Sequence, residues 1–594
     1  MPVSDYGYNN IIKKFVLLLP VIILLCLSGC NTAPDSGEQI SDSYEKVSTG
    51  RSLMVKDKDD LYDSMPEEQV LYLTLGRGVS SKEYDHTWEE INSHDLSWYT
   101  AHNTEVFECD ALVQFGNEEG PVSGSFGYGD MVNNATVKLV GSKASERQQK
   151  SYRIKINKGS GNVHGIKTFH LLKGFTDPFR FTDKLCFDLV SEMDDLMSVR
   201  TSFVHLYVRD ETLNEDEPAL FVDYGLYTMV EPVNKKYIRN RDLDSSGELY
   251  GIKDFDFARH EDVIMQPTEA GFNEAEFEKL LEAKGSNDYS KLIAMLDALN
   301  DENRTIEEVV EEYFDKPNLY SFMAFNILVD NKDTDTENFY IYSPTGSEKF
   351  YIIPWDFDGA LRRDYEYLRD PAYAEDWERG IYIYTESKLF GRIIKSKYLT
   401  NELSEYITKL HEDVLTGAKV KEKAKELSEI VKPYLYELPD LTYARVTEKN
   451  YDILTDNFSE LMDDYFYAYY DSLKTPWPFH INKPVNKDGK ITVVWDESYL
   501  LEGDVTYSLE LSDSWDFTNK LCNETGLKET SYEVGQLPPG QYFVKVSADA
   551  ADGMRQEAYE YYNTEKKTCI HGVMCFYVLE DGTVIKSEYV EDIN

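Results

Sequence analysis

The sequence predicts an α+β protein: a β-rich segment with one inserted helix, then a mainly helical segment, then a separate small β-sandwich. Two observations carry this. Short β-branched and aromatic runs bounded by Gly, Asn and Ser cluster in 68–230 and again after 487, whereas apolar residues at helical spacing fill most of 273–473. Between the helical segment and the second β-rich one, LKTPWPFHINKPVNKDGK reads as a linker because its prolines and polar residues break both periods. A chain of 594 residues exceeds a single core, since domains hold roughly 100–200 residues.

The elements run in this order. VLYLTL, DALVQF, ATVKLVG and SYRIKIN alternate as strands of a mainly antiparallel sheet. TDKLCFDLVSEMDDL (Thr182 to Leu196) is the inserted helix, and SFVHLYVRD and FVDYGLYTMVEPV are two further strands. EAEFEKLLEAK, YSKLIAMLDAL, TIEEVVEEYF and LYSFMAFNILVD are helices, and another helical block runs from about Glu386 to Leu473. KITVVWD, VTYSLELS, TSYEVGQL and GQYFVKVSADA have the period of a sandwich, and LPPGQYFVKVSA resembles a late strand of a fibronectin type III or immunoglobulin-like module. The resulting boundaries are a leader at 1–29, a tether at 30–67, the main body at 68–473, a linker at 474–486, the sandwich at 487–562 and a C-terminal tail at 563–594.

The leader is read from Lys13 and Lys14, the apolar run Phe15 to Leu27, and Leu27-Ser28-Gly29-Cys30 directly after it. The run is short for a membrane span of about 20 residues and has the layout of a secretory signal. The small residues before Cys30 resemble a bacterial lipobox, which implies lipidation of Cys30 and an extracytoplasmic protein held on the membrane. Beyond that leader the thiols are Cys109, Cys186, Cys522, Cys569 and Cys575, an odd number, with Cys569 and Cys575 spaced to close a small loop. A net charge of −47 excludes a reader of phosphate backbones, so nucleic acid is not an expected partner. The same charge would attract a basic polypeptide, within the reach salt allows.

The candidate chemistry lies in DNKDTDTENFYIY and KFYIIPWDFDGAL. Asp333 and Asn338 have the spacing D-x-x-x-x-N in a loop after a helix, and the hairpin after it ends in Asp356-Phe357-Asp358-Gly359. Phosphoryl transfer to a hydroxyl needs a carboxylate that orients the acceptor and oxygen ligands for a metal that bridges phosphates. Upstream, Lys155 follows an alternating strand, as does the phosphate-binding lysine of kinase-type sites, with Lys150 as its competitor and Glu192 as the partner glutamate from the inserted helix. An irregular calcium loop is the alternative for the acidic stretch, although Gly is absent from the sixth position and Glu from the twelfth of an EF-hand register. GSFGYG (Gly124 to Gly129) is either a phosphate-covering loop or a turn.

Over roughly 68–473 the chain resembles the spore-coat protein H (CotH) family of atypical kinases, through KSYRIKI, DYGLYTMVEPVNKKYIRNR and the two phrases just quoted. That resemblance implies a protein-kinase-like two-lobed body, ATP with Mg²⁺ or Mn²⁺ as cofactors, and a protein Ser/Thr acceptor. It makes Asp333 the catalytic base, Asn338 and Asp356 the metal ligands, Lys155 or Lys150 the phosphate-binding lysine, and Glu231 a residue near the nucleotide. The chain departs from the family where an Arg-Gly-Asn-Ser type phrase is usual and Leu139 to Ser145 stands instead, without the arginine. Two other readings remain open: a degenerate surface binding protein, and transfer of phosphate to a sugar or of adenylyl to a protein.

Overall fold

The computed structural model describes residues 55–76, 86–213, 219–369, 379–564 and 569–587. The leader, Cys30 and most of the tether lie outside them. None of the helices among the described residues is long and apolar enough to cross a membrane.

The first β-rich segment closes on itself. Its strands are β1 (Glu68–Gly76), β2 (Glu108–Asn117), β3 (Gly120–Pro121), β4 (Ala135–Val140), β5 (Ser151–Ile156), β6 (Thr168–Leu172), β7 (Thr201–Asp210) and β8 (Val222–Val230), in the spatial order β1-β7-β8-β6-β5-β4-β2-β3. β1 also pairs with β2, so seven strands form a closed barrel, and β1–β7 is its parallel pair. Closure removes the open edges that a simple sheet would leave. The period of two sends Leu71, Val137, Ile154, Phe169, Leu171 and Met229 into the barrel core. It leaves Thr136 and Lys138 of β4, Arg153 and Lys155 of β5, and Thr168 and His170 of β6 on the outer face.

The helical body has its own larger core, which also takes in the Thr182–Val190 helix. At its centre the Lys316–Leu328 helix starts on an Asp315 cap, with Pro317 in the first turn, and is buried from Asn318 to Leu328. Asn318 anchors a strand more than thirty residues further along: its amide donates to Ile352 O at 3.0 Å and accepts from Ile352 N at 2.6 Å. Ile352 belongs to β12 (Tyr351–Pro354), which closes a four-stranded sheet with β9 (Glu248–Ile252), β10 (Leu281–Ala283) and β11 (Phe339–Ser343), in the order β10-β9-β11-β12.

The last β-rich unit begins earlier and ends later than its sequence pattern predicts. Ile481–Lys487 is already a strand, inside the stretch read as linker, because it pairs with Lys490–Trp495 across the Asp488-Gly489 turn. Val573–Val578 and Val584–Lys586, in the stretch read as a tail, extend the second sheet beside Gly540–Ala550. Two sheets share the core formed by Trp495, Leu509, Val544 and Phe576. Cys569 and Cys575 are not joined by a disulfide: the Cys569 thiol lies 3.7 Å from His571 Nε2, and Cys575 is buried on its strand within 3.2 Å of the Gln541 amide.

Candidate active site

One wall of a cleft is built from about thirty contiguous residues. The Lys316–Leu328 helix ends at Val329, and Asn331 turns back to donate to Asn326 Oδ1 at 3.0 Å and toward Asp356 O at 3.4 Å. Asn338 donates to Asp333 O at 2.9 Å while its own carbonyl accepts from Trp355 N at 3.1 Å. The D-x-x-x-x-N loop is therefore closed on itself and pinned to the turn that carries Asp356. A Cβ placed on Gly359 would lie 3.5 Å from Asp333 Oδ2 and 3.4 Å from Asn331 Oδ1, so the turn rests directly on the loop.

Asn338 (φ 65°) and Asp356 (φ 59°) both sit in the left-handed region. Asn and Asp are the residues with a side chain that enter it most readily. Phe357 locks the turn from below, packed edge-on against Phe187 of the Thr182–Val190 helix at 5.0 Å and Phe325 at 5.3 Å.

The Thr182–Val190 helix contributes an acid that sequence reasoning missed. Asp183 accepts from Phe357 N at 2.7 Å and lies against both carboxylates of the turn. Burial, then the charge of Asp356, then that of Asp358, holds its carboxyl well above the ordinary range. Burial and the charges of Asp358, Asp333 and Glu337 likewise push Asp356 up to about 7. Asp358 is steadied by Thr176 Oγ1 at 2.7 Å. These acids repel one another without a cation beside them, and Asn331 Oδ1 is a buried acceptor that no donor reaches.

The donor set fits a hard divalent ion. Asp356 and Asp183 offer carboxylate oxygens at the cavity and Asn338 an amide oxygen on the adjoining loop, and an ion of the Mg²⁺ type takes one or two carboxylates and completes its shell with phosphate oxygens and water. Among the described residues no three His, Cys, Asp or Glu side chains close on one point.

The facing wall comes from the barrel. Lys138, Arg153 and His170 stand in one cross-strand row, since Arg153 is the register partner of both of the others. A cavity of about 570 Å³ lies between the walls, lined by Arg153, His170, Asp183, Tyr340, Trp355 and Asp356 among others. Burial, then Arg153 and Lys284, depresses His170 to about 3, so its ring is neutral and Arg153 is the cation of this row that lines the cavity with the acids. Trp355 meets His170 edge-on at 6.2 Å and Tyr340 at 5.8 Å, giving the cavity an aromatic floor.

Several expected residues stand elsewhere. Lys155 shares the outer face of β5 but is exposed and lines neither this cavity nor the next one along. Lys150 belongs to the opposite parity: its ammonium donates to Ser145 O at 2.5 Å in a separate hollow beside Trp88 and Tyr152. Glu192 lies beyond the end of its helix and pairs with Lys419 and Lys423 on the surface, far from any strand lysine's role. Glu231 does fall where barrel and helical body join, but its carboxylate is consumed by Arg200 at 2.7 and 2.9 Å and by Arg241 at 3.4 Å.

GSFGYG folds as a turn against β2 near Val113, at the opposite end of β4 from the cleft. The acidic stretch is no calcium loop either, because its carboxylates diverge. Asp335 is buried and turns inward to accept from Glu386 N and Ser387 N at 2.7 and 2.9 Å, which ties the loop to the residues just before the Lys388–Lys395 helix.

Known proteins supply an independent comparison. A family profile described as CotH kinase protein matches residues 137–463, more than half of the chain. The chain belongs to the CotH kinase family. The match starts in β4, so β1 and β2 of this CotH kinase-family protein lie outside it. The inner spore coat protein H of Bacillus subtilis (strain 168) is 23% identical over 297 residues, covering 50% of this chain and 76% of that protein. The crystal structure of the Helicobacter pylori proinflammatory kinase CtkA covers 54% of this chain and 88% of its own, at 11% identity and a TM-score of 0.27, too slight a likeness to bear on the fold.

Arg153 and Asp183 were legible in principle. Arg153 has the same strand parity as Lys155, and Asp183 opens the helix from which an acid was expected. What was missing was the register that decides which of them meets the cleft.

Proposed function

We propose that this protein is a metal-dependent kinase that transfers the γ-phosphate of ATP to Ser or Thr hydroxyls of proteins, outside the cytoplasm, on a membrane anchor at Cys30. The observation that carries the proposal is that Asp183 and Asp356 face Arg153 across one cavity, while the loop of Asp333 and Asn338 is pinned against the turn that carries Asp356. The barrel and the helical body serve as the two lobes that hold the nucleotide between them.

In this reading Asp333, exposed at the cleft, accepts the hydroxyl proton or orients the hydroxyl, and its position is fixed through Asn338 and Gly359. Asp356 and Asn338 hold the divalent ion, which would neutralise charge on the phosphates. Protein kinases place a lysine on the strand before the helix and pair it with that helix's glutamate. Here that strand is β6, its cleft-facing residues are Thr168, His170 and Leu172, and the guanidinium of Arg153 one strand over takes the lysine's place. Asp183 is the helix's acid and turns to the metal side instead of to a lysine.

The test is incubation of the purified chain with γ-labelled ATP, Mg²⁺ or Mn²⁺, and Ser/Thr-containing acceptors, with Asp356→Asn as control. Label in protein hydroxyls that disappears in the variant is the expected result. Transfer of an α-phosphate label would redirect the reading to adenylylation, and no binding of nucleotide would leave a degenerate binding protein.

A further inference from the structure

A second cavity of about 390 Å³ adjoins the cleft and shares Arg153, Thr168, Pro232, Asn234 and Lys284 with it. It contains neither Asp183 nor Asp356, so it lies beside the reacting groups and not among them. Its wall is formed by Arg153, Lys167, Lys235, Lys236, Arg239 and Lys284, brought together from β5, the turn before β6, the segment after β8 and the end of β10. The one carboxylate in the wall, Glu231, is already held by Arg200 and Arg241.

This concentration runs against the composition. The chain has 108 acidic residues to 61 basic ones, so a hollow whose charged lining is almost wholly cationic is a local reversal of its charge. Arg153, Lys167, Lys235, Lys236 and Arg239 have no carboxylate within 4.0 Å among the described residues, and only Lys284 has one, Glu282 at 3.0 Å. Unpaired like charges gathered in a hollow repel one another, a cost that an anionic ligand removes. The local field is visible in neighbouring groups: after burial, Arg153 is the next cause that lowers both His170 and Lys138.

We propose that this basic cavity binds an acidic or phosphorylated stretch of the acceptor polypeptide, alongside the hydroxyl presented to Asp333. The proposal rests on the kinase reading for the word acceptor, and on the cavity alone for the anion. The overall negative charge favours a basic acceptor at long range, whereas the surface next to the cleft selects the opposite sign at contact. An acceptor of mixed charge, acidic near its Ser or Thr and basic further away, satisfies both.

The experiment measures binding of three fluorescent peptides to the full chain by anisotropy, together with nucleotide affinity. The peptides share a Ser/Thr core flanked by Asp and Glu, by phosphoserine, or by Lys and Arg. The acidic and phosphorylated peptides are expected to bind at least about tenfold tighter than the basic one, and to weaken as salt rises. The exposed pair Lys235→Glu/Lys236→Glu should cut that binding by about tenfold or more while nucleotide affinity moves less than about threefold. Lys528→Glu, on the distant C-terminal unit, should leave both unchanged.

Equal or tighter binding of the basic peptide overturns the proposal. So does a parallel loss of nucleotide affinity in the double variant, which would make the cavity a seat for ATP phosphates. Anionic peptides that bind but accept no label in any condition overturn the kinase reading and leave the anion site standing.

Discussion

The two walls of the cleft are built in different ways. The acidic wall, from Val329 to Leu361, is a local object: Asn331, Asn338 and Trp355 hold its parts together through hydrogen bonds between residues fewer than thirty apart. The cationic wall is a product of register, because Lys138, Arg153 and His170 meet only where β4, β5 and β6 pair across the barrel. A local wall keeps its chemistry if its neighbours shift. A wall made of register keeps it only while the barrel stays closed and each strand keeps its parity.

The largest effects are expected on the acidic wall. Asp333→Asn should reduce phosphoryl transfer by about 10²–10⁴-fold with nucleotide binding retained, since it removes the group proposed to handle the hydroxyl and leaves Asp356 and Asn338 in place. Asp356→Asn should also abolish transfer, but with the opposite consequence for stability. Asn keeps the left-handed backbone at φ 59° and removes a buried charge from beside Asp183 and Asp358, so the melting temperature should rise. A melting temperature that falls in Asp356→Asn would show that the acids are not in mutual repulsion.

The joint between the walls comes next. Glu231→Ala leaves Arg200 and Arg241 buried beside an empty acceptor, and removing one partner of such a pair costs about 3–5 kcal/mol. The loss should appear in chemical denaturation and not as a changed nucleotide affinity at temperatures where the chain is folded. Its pH dependence has a definite sign. Burial alone would raise this carboxyl, but hydrogen bonds from Arg200 and the charges of Arg241 and Arg200 outweigh it and hold it below 4.5. Its stabilisation is thus present above pH 4.5 and lost as pH falls through the folded value, and the alanine variant should lack that part of the acid limb.

The cationic wall separates two side chains on one strand. Arg153→Ala should weaken nucleotide binding by about tenfold or more, as expected for loss of a charge-assisted contact. Lys155→Ala should change it by less than about threefold, since an exposed ammonium away from the cavity is screened by salt. Equal losses from both would place the phosphates further along β5 than the cavity does.

The same contrast explains what could be read from residues alone. The grouping of Asp333, Asn338 and Asp356 was legible because it depends on short spacings around one helix end and one hairpin. The strands were legible too, from their alternation. The choice of Arg153 over Lys155 was not, because an alternating strand says which residues share a face and not how far along it the cleft begins. Closure of the barrel was hidden for a related reason: the parallel β1–β7 pairing joins residues more than a hundred positions apart. Strands after residue 562 were missed because they are short and complete a sheet whose first strand, Val505–Ser512, lies more than sixty residues earlier.

The smallest effect is the one that most sharply tests the helix between the walls. Glu192 and Asp183 both belong to the segment from which an acid partner is expected, one just past its end and one in its first turn. Glu192 is part-exposed and pairs with Lys419 and Lys423, and such surface pairs contribute at most about 1 kcal/mol. Glu192→Ala should therefore shift stability by about 0.5 kcal/mol or less and leave transfer unchanged. Asp183→Asn keeps an oxygen for Phe357 N but removes a charge from the metal side, so it should weaken the dependence on Mg²⁺ or Mn²⁺ in titrations at fixed ATP. If Glu192→Ala altered transfer and Asp183→Asn did not, the helix would have to rotate in the working protein. Its acid would then answer a strand lysine after all, and Phe357 could not remain packed between Phe187 and Phe325.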